Sequence, residues 1–96
     1  MSDWYLYIIR CRDNTLYTGI STDVDRRLAQ HRGTSNTGSR YLRGRGPLSL
    51  VLREHLDSKS LALKEEARVK RMSKAKKEEL IKVSGYALNN ERSSKR

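Results

Sequence analysis

The sequence predicts a small α+β domain with three β-strands and about three α-helices. Three short segments are rich in aromatic, β-branched and leucine residues, which is typical of strands, and they cover residues 4–11, 16–20 and 48–54. Three further segments carry helix start and stop signals, and they cover residues 22–31, 58–72 and 73–84. The alternation of these segments along the chain is the basis of the fold-class prediction.

The length of the chain agrees with one such domain. The chain has 96 residues, and 35% of them are hydrophobic with no Phe among them. A domain of this size buries only a small core. We expect one domain over residues 1–88, followed by a flexible basic tail over residues 89–96.

The first predicted strand is apolar on both faces. Alternation places Tyr5, Tyr7 and Ile9 on one face and the even-numbered residues on the other. A strand that is apolar on both faces belongs in the centre of a sheet. Asp13 and Asn14 then form a turn signal, so we expect the first two strands to pair as a hairpin.

The first predicted helix follows the hairpin. Thr22 is the predicted N-cap, and Asp25 in the first turn favours the helix dipole. Gly33 is the predicted stop. Arg27 and His31 are four residues apart, so they lie on neighbouring turns of one helix face.

A long basic segment separates this helix from the third strand. Residues 32–46 contain four glycines and four arginines, namely Gly33, Gly38, Gly44, Gly46, Arg32, Arg40, Arg43 and Arg45. Loops of this length are commonly functional or disordered. Pro47 begins the third strand. Asp57 or Ser58 is the predicted cap of the second helix, and Ser73 of the third.

The charge of the chain indicates an anionic partner. Twenty-one Lys and Arg residues outnumber eleven Asp and Glu, for a net charge of +10. Nucleic acid is the first candidate, whereas a membrane surface is disfavoured because the cations spread over several elements. Cys11 is the single cysteine, which excludes a disulfide framework and a four-cysteine zinc site. Without a signal-peptide pattern or a long apolar stretch, we expect a cytoplasmic protein.

One group of residues has side chains suited to catalysis of phosphodiester cleavage. Phosphodiester cleavage needs an activated water, a cation for the phosphoryl oxygens and commonly a divalent metal. Magnesium can be held by one or two carboxylates because it keeps several waters. The side chains that meet these needs are Tyr7, Tyr17, Arg27 and His31, together with Glu65 or Glu66. Helical periodicity alone leaves the choice between the two glutamates open.

These residues stand in a familiar order. The segments that carry the resemblance are Tyr5-Leu6-Tyr7, Tyr17-Thr18-Gly19, Arg27 and His31. They resemble the signature of the GIY-YIG nuclease superfamily, and in particular its small stand-alone UPF0213 (YhbQ-like) group. The similarity continues through residues 43–47 and 62–70. These later segments also resemble the nuclease domain of eukaryotic structure-specific resolving enzymes.

The resemblance implies both a fold and an activity. The implied fold is a three-stranded antiparallel sheet flanked by helices. The implied activity is metal-dependent hydrolysis of DNA, with Mg²⁺ or Mn²⁺ on Glu66, and DNA is favoured over RNA as the partner. One of the tyrosines would be the general base, Arg27 would stabilise the transition state, and His31 would assist proton transfer or position the water.

Further basic residues are candidates for binding nucleic acid. They are Arg26, Arg32, Arg40, Arg43, Arg45, Lys70 and Lys74. We expect no separate DNA-binding domain, so a protein partner would assist targeting.

The chain departs from the family pattern at Leu6 and Thr18 and has no Asn within residues 72–77. These departures favour the alternative of a non-catalytic nucleic-acid-binding module that keeps the fold. A structural, RNA-preferring basic protein is a third possibility.

Overall fold

The structure is a computed structural model that describes residues 3–32, 42 and 46–84. Its elements are β1 (Trp4–Arg10), β2 (Leu16–Ser21), α1 (Val24–Arg32), β3 (Ser49–Leu56), α2 (Lys59–Lys70) and α3 (Lys74–Ser84). The predicted tail at residues 89–96 lies outside the described residues, and so do the helix stop predicted at Gly33 and most of the glycines and arginines of the basic segment. The domain boundaries at 1–88 and 89–96 stay a prediction.

The three strands form one antiparallel sheet in the order β2-β1-β3. The predicted hairpin and the predicted central position of β1 are therefore confirmed, and so is the fold class. The hairpin turn closes where the amide of Cys11 donates to the carbonyl of Thr15 at 2.9 Å. Asn14 adopts a φ of 71° in this turn, a left-handed conformation that Asn tolerates better than most residues.

Each face of the sheet carries its own hydrophobic core. On one face, Tyr7 and Ile9 pack with Val24 and Leu28 of α1. On the opposite face, Leu6 and Ile8 pack with Val69 of α2 and Ile81 of α3. This division follows the predicted alternation along β1. The tyrosine face lies under α1, and the other face lies under α2 and α3.

The register between β1 and β3 shifts once. Ile8 pairs with Leu52 and Ile9 pairs with Leu50, so Val51 is an extra residue on β3. Val51 and Leu52 are both buried in the core under α2 and α3. A bulge of this kind lets two successive residues face the same side of a sheet. The shift was not predictable from the alternation pattern.

The helix caps differ in part from the prediction. Asp23 caps α1, because its carboxylate accepts from the amide of Arg26 at 3.1 Å. The predicted cap at Thr22 is therefore wrong by one residue. An aspartate is at least as good a cap as a threonine, and its charge also complements the helix N-terminus. Ser58, one of the two predicted candidates, caps α2, and Ser73 caps α3 as predicted.

Within the described ranges, no helix has both the length and the apolar character needed to cross a membrane.

Candidate active site

The site begins with a close cross-strand contact between Tyr7 and Gly19. The register of β1 and β2 places these two residues opposite each other. A Cβ atom at position 19 would lie 2.5 Å from the Tyr7 hydroxyl oxygen and 2.6 Å from Cζ. The phenol ring therefore rests on the bare backbone of Gly19, and only 2% of Tyr7 is exposed. Glycine is the one residue that leaves room for the ring in this position.

Tyr17 lies diagonally across the hairpin from Tyr7. Its Cα partner in β1 is Ile9, two residues beyond Tyr7, so both phenol rings project from the same face of the sheet. Their ring centroids are 6.4 Å apart. Diagonal neighbours at this separation are within reach of aromatic side chains. The hairpin thus brings together the two tyrosines that are ten residues apart in the sequence.

His31 reaches the tyrosines from the last turn of α1. Its Nε2 lies 3.1 Å from the Tyr7 hydroxyl oxygen, within hydrogen-bond distance. Its ring meets that of Tyr17 edge to face, with centroids 5.5 Å apart. The imidazole is 6% exposed. Val24 and Leu28 hold this helix against the sheet and so fix the position of His31.

Arg27 lies one turn before His31 on the same helix and joins the group. Its guanidinium is within hydrogen-bonding reach of the Tyr7 hydroxyl. Its Nη1 donates to the Oε1 of Gln30 at 3.0 Å. An open pocket beside it is lined by the β2–α1 connection and by polar residues of α1. The arginine is thus half-buried, oriented by a neighbour, and still borders solvent.

The two glutamates of α2 face different surroundings. Glu66 acts electrostatically on the Tyr7 hydroxyl and pairs with Lys70 at 3.3 Å. Glu65 instead accepts two hydrogen bonds from Arg68, at 2.9 and 2.6 Å, and borders Glu54 of β3. The charge of Glu66, and not that of Glu65, therefore acts on the Tyr7 hydroxyl. The helical pattern could not make this distinction.

The surroundings shift the protonation of two groups. The pKa of His31 is lowered to about 4, mainly by burial and to a smaller extent by the positive charge of Arg27. Burial raises the pKa of Tyr7, Tyr17 adds to the rise, and the hydrogen bond from Arg27 opposes it. His31 and Tyr7 are therefore both neutral at pH 7. Their contact fits a Tyr7 hydroxyl that donates to an unprotonated Nε2.

The donor atoms of the site fit one kind of metal ion. Among the described residues, no three His, Cys, Asp or Glu side chains gather closely enough to hold a metal by themselves. Glu66 offers a single carboxylate, whose charge acts on the Tyr7 hydroxyl. Mg²⁺ and Mn²⁺ suit such a site, since they accept oxygen ligands and can complete their coordination with water and substrate phosphate. A structural zinc site does not fit.

The predicted nucleic-acid contacts occupy several positions. Arg26 is exposed on α1, beside Arg27. Arg32 donates to the carbonyl of Leu48 at 2.7 Å and so ties the end of α1 to the start of β3. Lys70 and Lys74 pair with glutamates of their own helices. Arg40, Arg43 and Arg45 lie outside the described residues.

Two contributions were missed by the sequence reasoning. Gln30 orients Arg27, and its spacing of three residues on a predicted helix was an available signal. Gly19 provides the surface under Tyr7. That contact needs the strand register, which the sequence does not specify.

Comparison with known proteins agrees with this geometry. Residues 3–79 match the family model of the GIY-YIG catalytic domain. The UPF0213 protein YhbQ of Escherichia coli (strain K12) is 51% identical over 88 residues, which cover 91% of this chain and 86% of that protein. A UPF0213 protein of Cronobacter sakazakii is also 51% identical, over 84% of this chain and 83% of its own length.

Two solved structures are similar as well. The UPF0213 protein BH0048 from Bacillus halodurans has a TM-score of 0.57 and 44% identity, with 86% of each chain covered. The protein EF2693 from E. faecalis has a TM-score of 0.59 and 30% identity, with 88% of each chain covered. Together with the matched domain and the converging Tyr7, Tyr17 and His31, these similarities show that the chain belongs to the GIY-YIG nuclease family, among its UPF0213 members.

Proposed function

We propose that this protein is a metal-dependent nuclease that hydrolyses phosphodiester bonds in DNA. The observation that carries the proposal is the surroundings of one atom, the Tyr7 hydroxyl oxygen. His31 Nε2 lies 3.1 Å from it, Arg27 is within hydrogen-bonding reach, and Glu66 acts on it electrostatically. A proton acceptor and a cation for phosphate thus lie beside one phenol, and the carboxylate proposed to bind metal acts on it electrostatically.

Arg27 is the proposed anchor for the scissile phosphate. Its guanidinium borders an open pocket and is held by Gln30. Charge that develops on the phosphoryl oxygens during attack is stabilised by a cation already in place. A planar guanidinium can also donate two parallel hydrogen bonds to phosphate. Gln30 is therefore a positioning residue for Arg27.

Tyr7 and His31 form the proposed path for the proton. A water attacks the phosphorus, the ester bond to the leaving sugar oxygen breaks, and the proton of the water passes to the Tyr7–His31 pair. The same proton then reaches the leaving oxygen, so the enzyme returns to its starting state. The low pKa of His31 is partly due to Arg27. A bound phosphate offsets that charge, which makes His31 a better proton acceptor when substrate is present.

Glu66 is the proposed ligand for Mg²⁺ or Mn²⁺. The bound ion would polarise the phosphate and lower the pKa of its water. Tyr17, whose ring contacts both Tyr7 and His31, would position the attacking water. In this assignment Tyr7 and His31 transfer the proton, and Tyr17 orients the attacking water.

The net charge of +10 would bind the DNA backbone around the site. Arg26 on α1 and Lys70 on α2 are exposed contacts, with Lys74 on α3 further along. Arg40, Arg43 and Arg45 stay predicted contacts, and Arg32 already bonds the backbone of Leu48. The proposal places the protein in the cytoplasm, where the buried free thiol of Cys11 would stay reduced. A protein partner would assist targeting.

The test is a substrate panel of nicked, branched and duplex DNA and duplex RNA, with and without Mn²⁺. Wild-type protein should cleave DNA only with the metal. Arg27→Ala should lower cleavage by about 10²–10³-fold, the scale expected for loss of one oxyanion donor. Arg12→Ala removes the same charge from the exposed hairpin turn and should retain most activity. Cleavage that survives Arg27→Ala would contradict the proposal.

The alternative is a binding module without turnover. It is favoured by the single carboxylate at the site, which is engaged with Lys70. Both functions give salt-sensitive DNA binding. Only the nuclease gives metal-dependent product, so binding without any cleavage across the panel would establish the alternative.

A further inference from the structure

The carboxylate proposed to hold the metal already has a cation next to it. Glu66 Oε2 lies 3.3 Å from Lys70 Nζ, and the two residues are four apart on α2. The side chain of Glu66 is 20% exposed, whereas that of Lys70 is 55% exposed. The carboxylate is thus held at the edge of the site, while the ammonium belongs to a long side chain that reaches solvent.

This pairing differs from the other glutamate pairs in the structure. Glu65 is bound at two points by Arg68. Glu78 is bound at two points by Arg10 and again by Lys74. In the part of the chain that the structure describes, Glu66 forms its ion pair through a single flexible ammonium, that of Lys70. Solvent-exposed pairs of this kind are weak and lose side-chain entropy when they form. Of these three glutamates, Glu66 is therefore the one whose partner an external cation displaces most easily.

We propose that Lys70 is an internal counter-ion of Glu66 and that a divalent metal replaces the Lys70 ammonium beside this carboxylate. The released Lys70 then contacts a phosphate of the bound DNA. This inference rests on the proposed function, because it assigns metal to Glu66 and nucleic acid to the surrounding surface. Lys70 would thus pair first with the Glu66 carboxylate and then with a DNA phosphate. Its four-carbon stem and compact charge allow both, since neither contact needs a fixed planar geometry.

The exchange couples the two ligands. Metal on Glu66 frees Lys70 for phosphate, and phosphate on Lys70 frees Glu66 for metal. Each ligand therefore raises the affinity for the other by the same factor. Without metal, the Glu66–Lys70 pair keeps one cation away from DNA, and the coupling favours DNA binding by the metal-loaded protein.

The first experiment measures Mn²⁺ binding to the free protein, by the electron paramagnetic resonance signal of unbound Mn²⁺. Lys70→Gln should bind Mn²⁺ about 3-fold more tightly than wild type, because the competing ammonium is gone. Lys64→Gln removes the same charge from the same helix and should change the affinity much less. Equal effects of the two substitutions would overturn the proposal, since simple charge removal would then explain both.

The second experiment measures DNA affinity against salt with no metal present. Glu66→Gln should free Lys70, tighten DNA binding about 3-fold, and steepen the logarithmic salt slope by roughly 0.9, the value for one more phosphate contact. In Glu66→Gln/Lys70→Gln this gain should disappear. Glu79→Gln, which removes an exposed carboxylate of α3, controls for net charge. A gain that persists in the double variant would overturn the proposal.

The two proposals fail separately. Protein that gives the expected Mn²⁺ and DNA binding but cleaves nothing contradicts the nuclease and supports the exchange. Protein that cleaves with metal, but in which Lys70→Gln matches Lys64→Gln, keeps the nuclease and contradicts the exchange.

Discussion

At the scale of single residues, Gly19 fixes the position of the Tyr7 hydroxyl, because the phenol ring lies on the glycine backbone. Gly19→Ala places a methyl group 2.5 Å from the hydroxyl oxygen, so the ring must move. We expect cleavage to fall about 100-fold, since a displacement of about 1 Å can cost that much. Overpacking should also lower the free energy of unfolding by about 1–3 kcal/mol.

The matched control for stability is Gly46→Ala. A Cβ atom there would meet only the Leu48 backbone nitrogen at 3.9 Å, an ordinary contact. Chemical unfolding of both variants separates the two effects. A Gly19→Ala protein with wild-type cleavage and wild-type stability would show that Tyr7 has room to shift.

Thr18 has a buried hydroxyl that is left unsatisfied within the described part of the chain. Its Oγ1 has no hydrogen-bond partner there, and the residue is 4% exposed, opposite Ile8 on the sheet face that packs against α2. Thr18→Val keeps the shape and removes the unsatisfied oxygen. We expect the free energy of unfolding to rise by about 1–2 kcal/mol. Thr15→Val should not stabilise, because the Thr15 hydroxyl donates to Asp13 at 2.6 Å. Urea unfolding at pH 7 compares the two, and a destabilised Thr18→Val would contradict this account.

His31 should make stability depend on pH. Its pKa is about 4 in the folded protein and about 6.5 in the unfolded chain. Between these values the unfolded chain binds more protons, so stability is fully present above pH 6.5 and falls as the pH drops towards 4. The total loss is at most about 3 kcal/mol. Urea unfolding from pH 7 to 4 should show this fall in wild type and a flatter curve in His31→Gln. Parallel curves would contradict the assigned shift.

At the scale of elements, an ion pair ties α3 to the central strand. Arg10 Nη1 and Nη2 of β1 contact the two carboxylate oxygens of Glu78 at 2.6 and 2.7 Å. Hydrogen bonds from Arg10 and then Lys74 lower the pKa of Glu78 to about 2. Because this folded pKa is depressed, the stabilisation is present above about pH 4.5 and is lost as the pH falls towards 2.

Glu78→Gln tests this tie. The pair is partly exposed, so we expect a loss of only about 1 kcal/mol at pH 7. The difference from wild type should shrink below pH 4.5 and vanish near pH 2. Glu79→Gln, an adjacent exposed residue, should have little effect at any pH. Thermal unfolding against pH measures both. A Glu78→Gln deficit that persists at pH 2 would show that packing, and not charge, is responsible.

The elements themselves were largely predictable, because each follows from local patterns. Period-two alternation predicted β1 and its two faces, and the turn signal at Asp13 and Asn14 predicted the hairpin. Two features of the elements were not predicted correctly, namely the N-cap of α1 and the bulge in β3. Thr22 and Asp23 are both good caps, and the position of the first helical turn decides between them. The bulge at Val51 depends on packing under α2 and α3, which no local pattern contains.

At the scale of the whole molecule, the site depends on three separate packing events. The hairpin brings Tyr7 next to Tyr17, α1 brings Arg27 and His31 over the tyrosine face, and the packing of α2 brings the charge of Glu66 within electrostatic range of Tyr7. The sequence alone shows the residue types and the helical spacing of Arg27 and His31. It cannot show the strand register, or which of two adjacent glutamates acts electrostatically on Tyr7, because both depend on tertiary packing.

The most direct test of the central claim compares Glu66→Gln with Glu65→Gln in Mn²⁺-dependent DNA cleavage. The two substitutions remove the same charge from adjacent positions of α2. The charge of Glu66 acts on the Tyr7 hydroxyl, whereas Glu65 is held by Arg68 and borders β3. We expect Glu66→Gln to lower the rate at least about 100-fold and Glu65→Gln to stay within a few-fold of wild type. Equal rates for the two variants, or full activity without the Glu66 carboxylate, would contradict the proposed site.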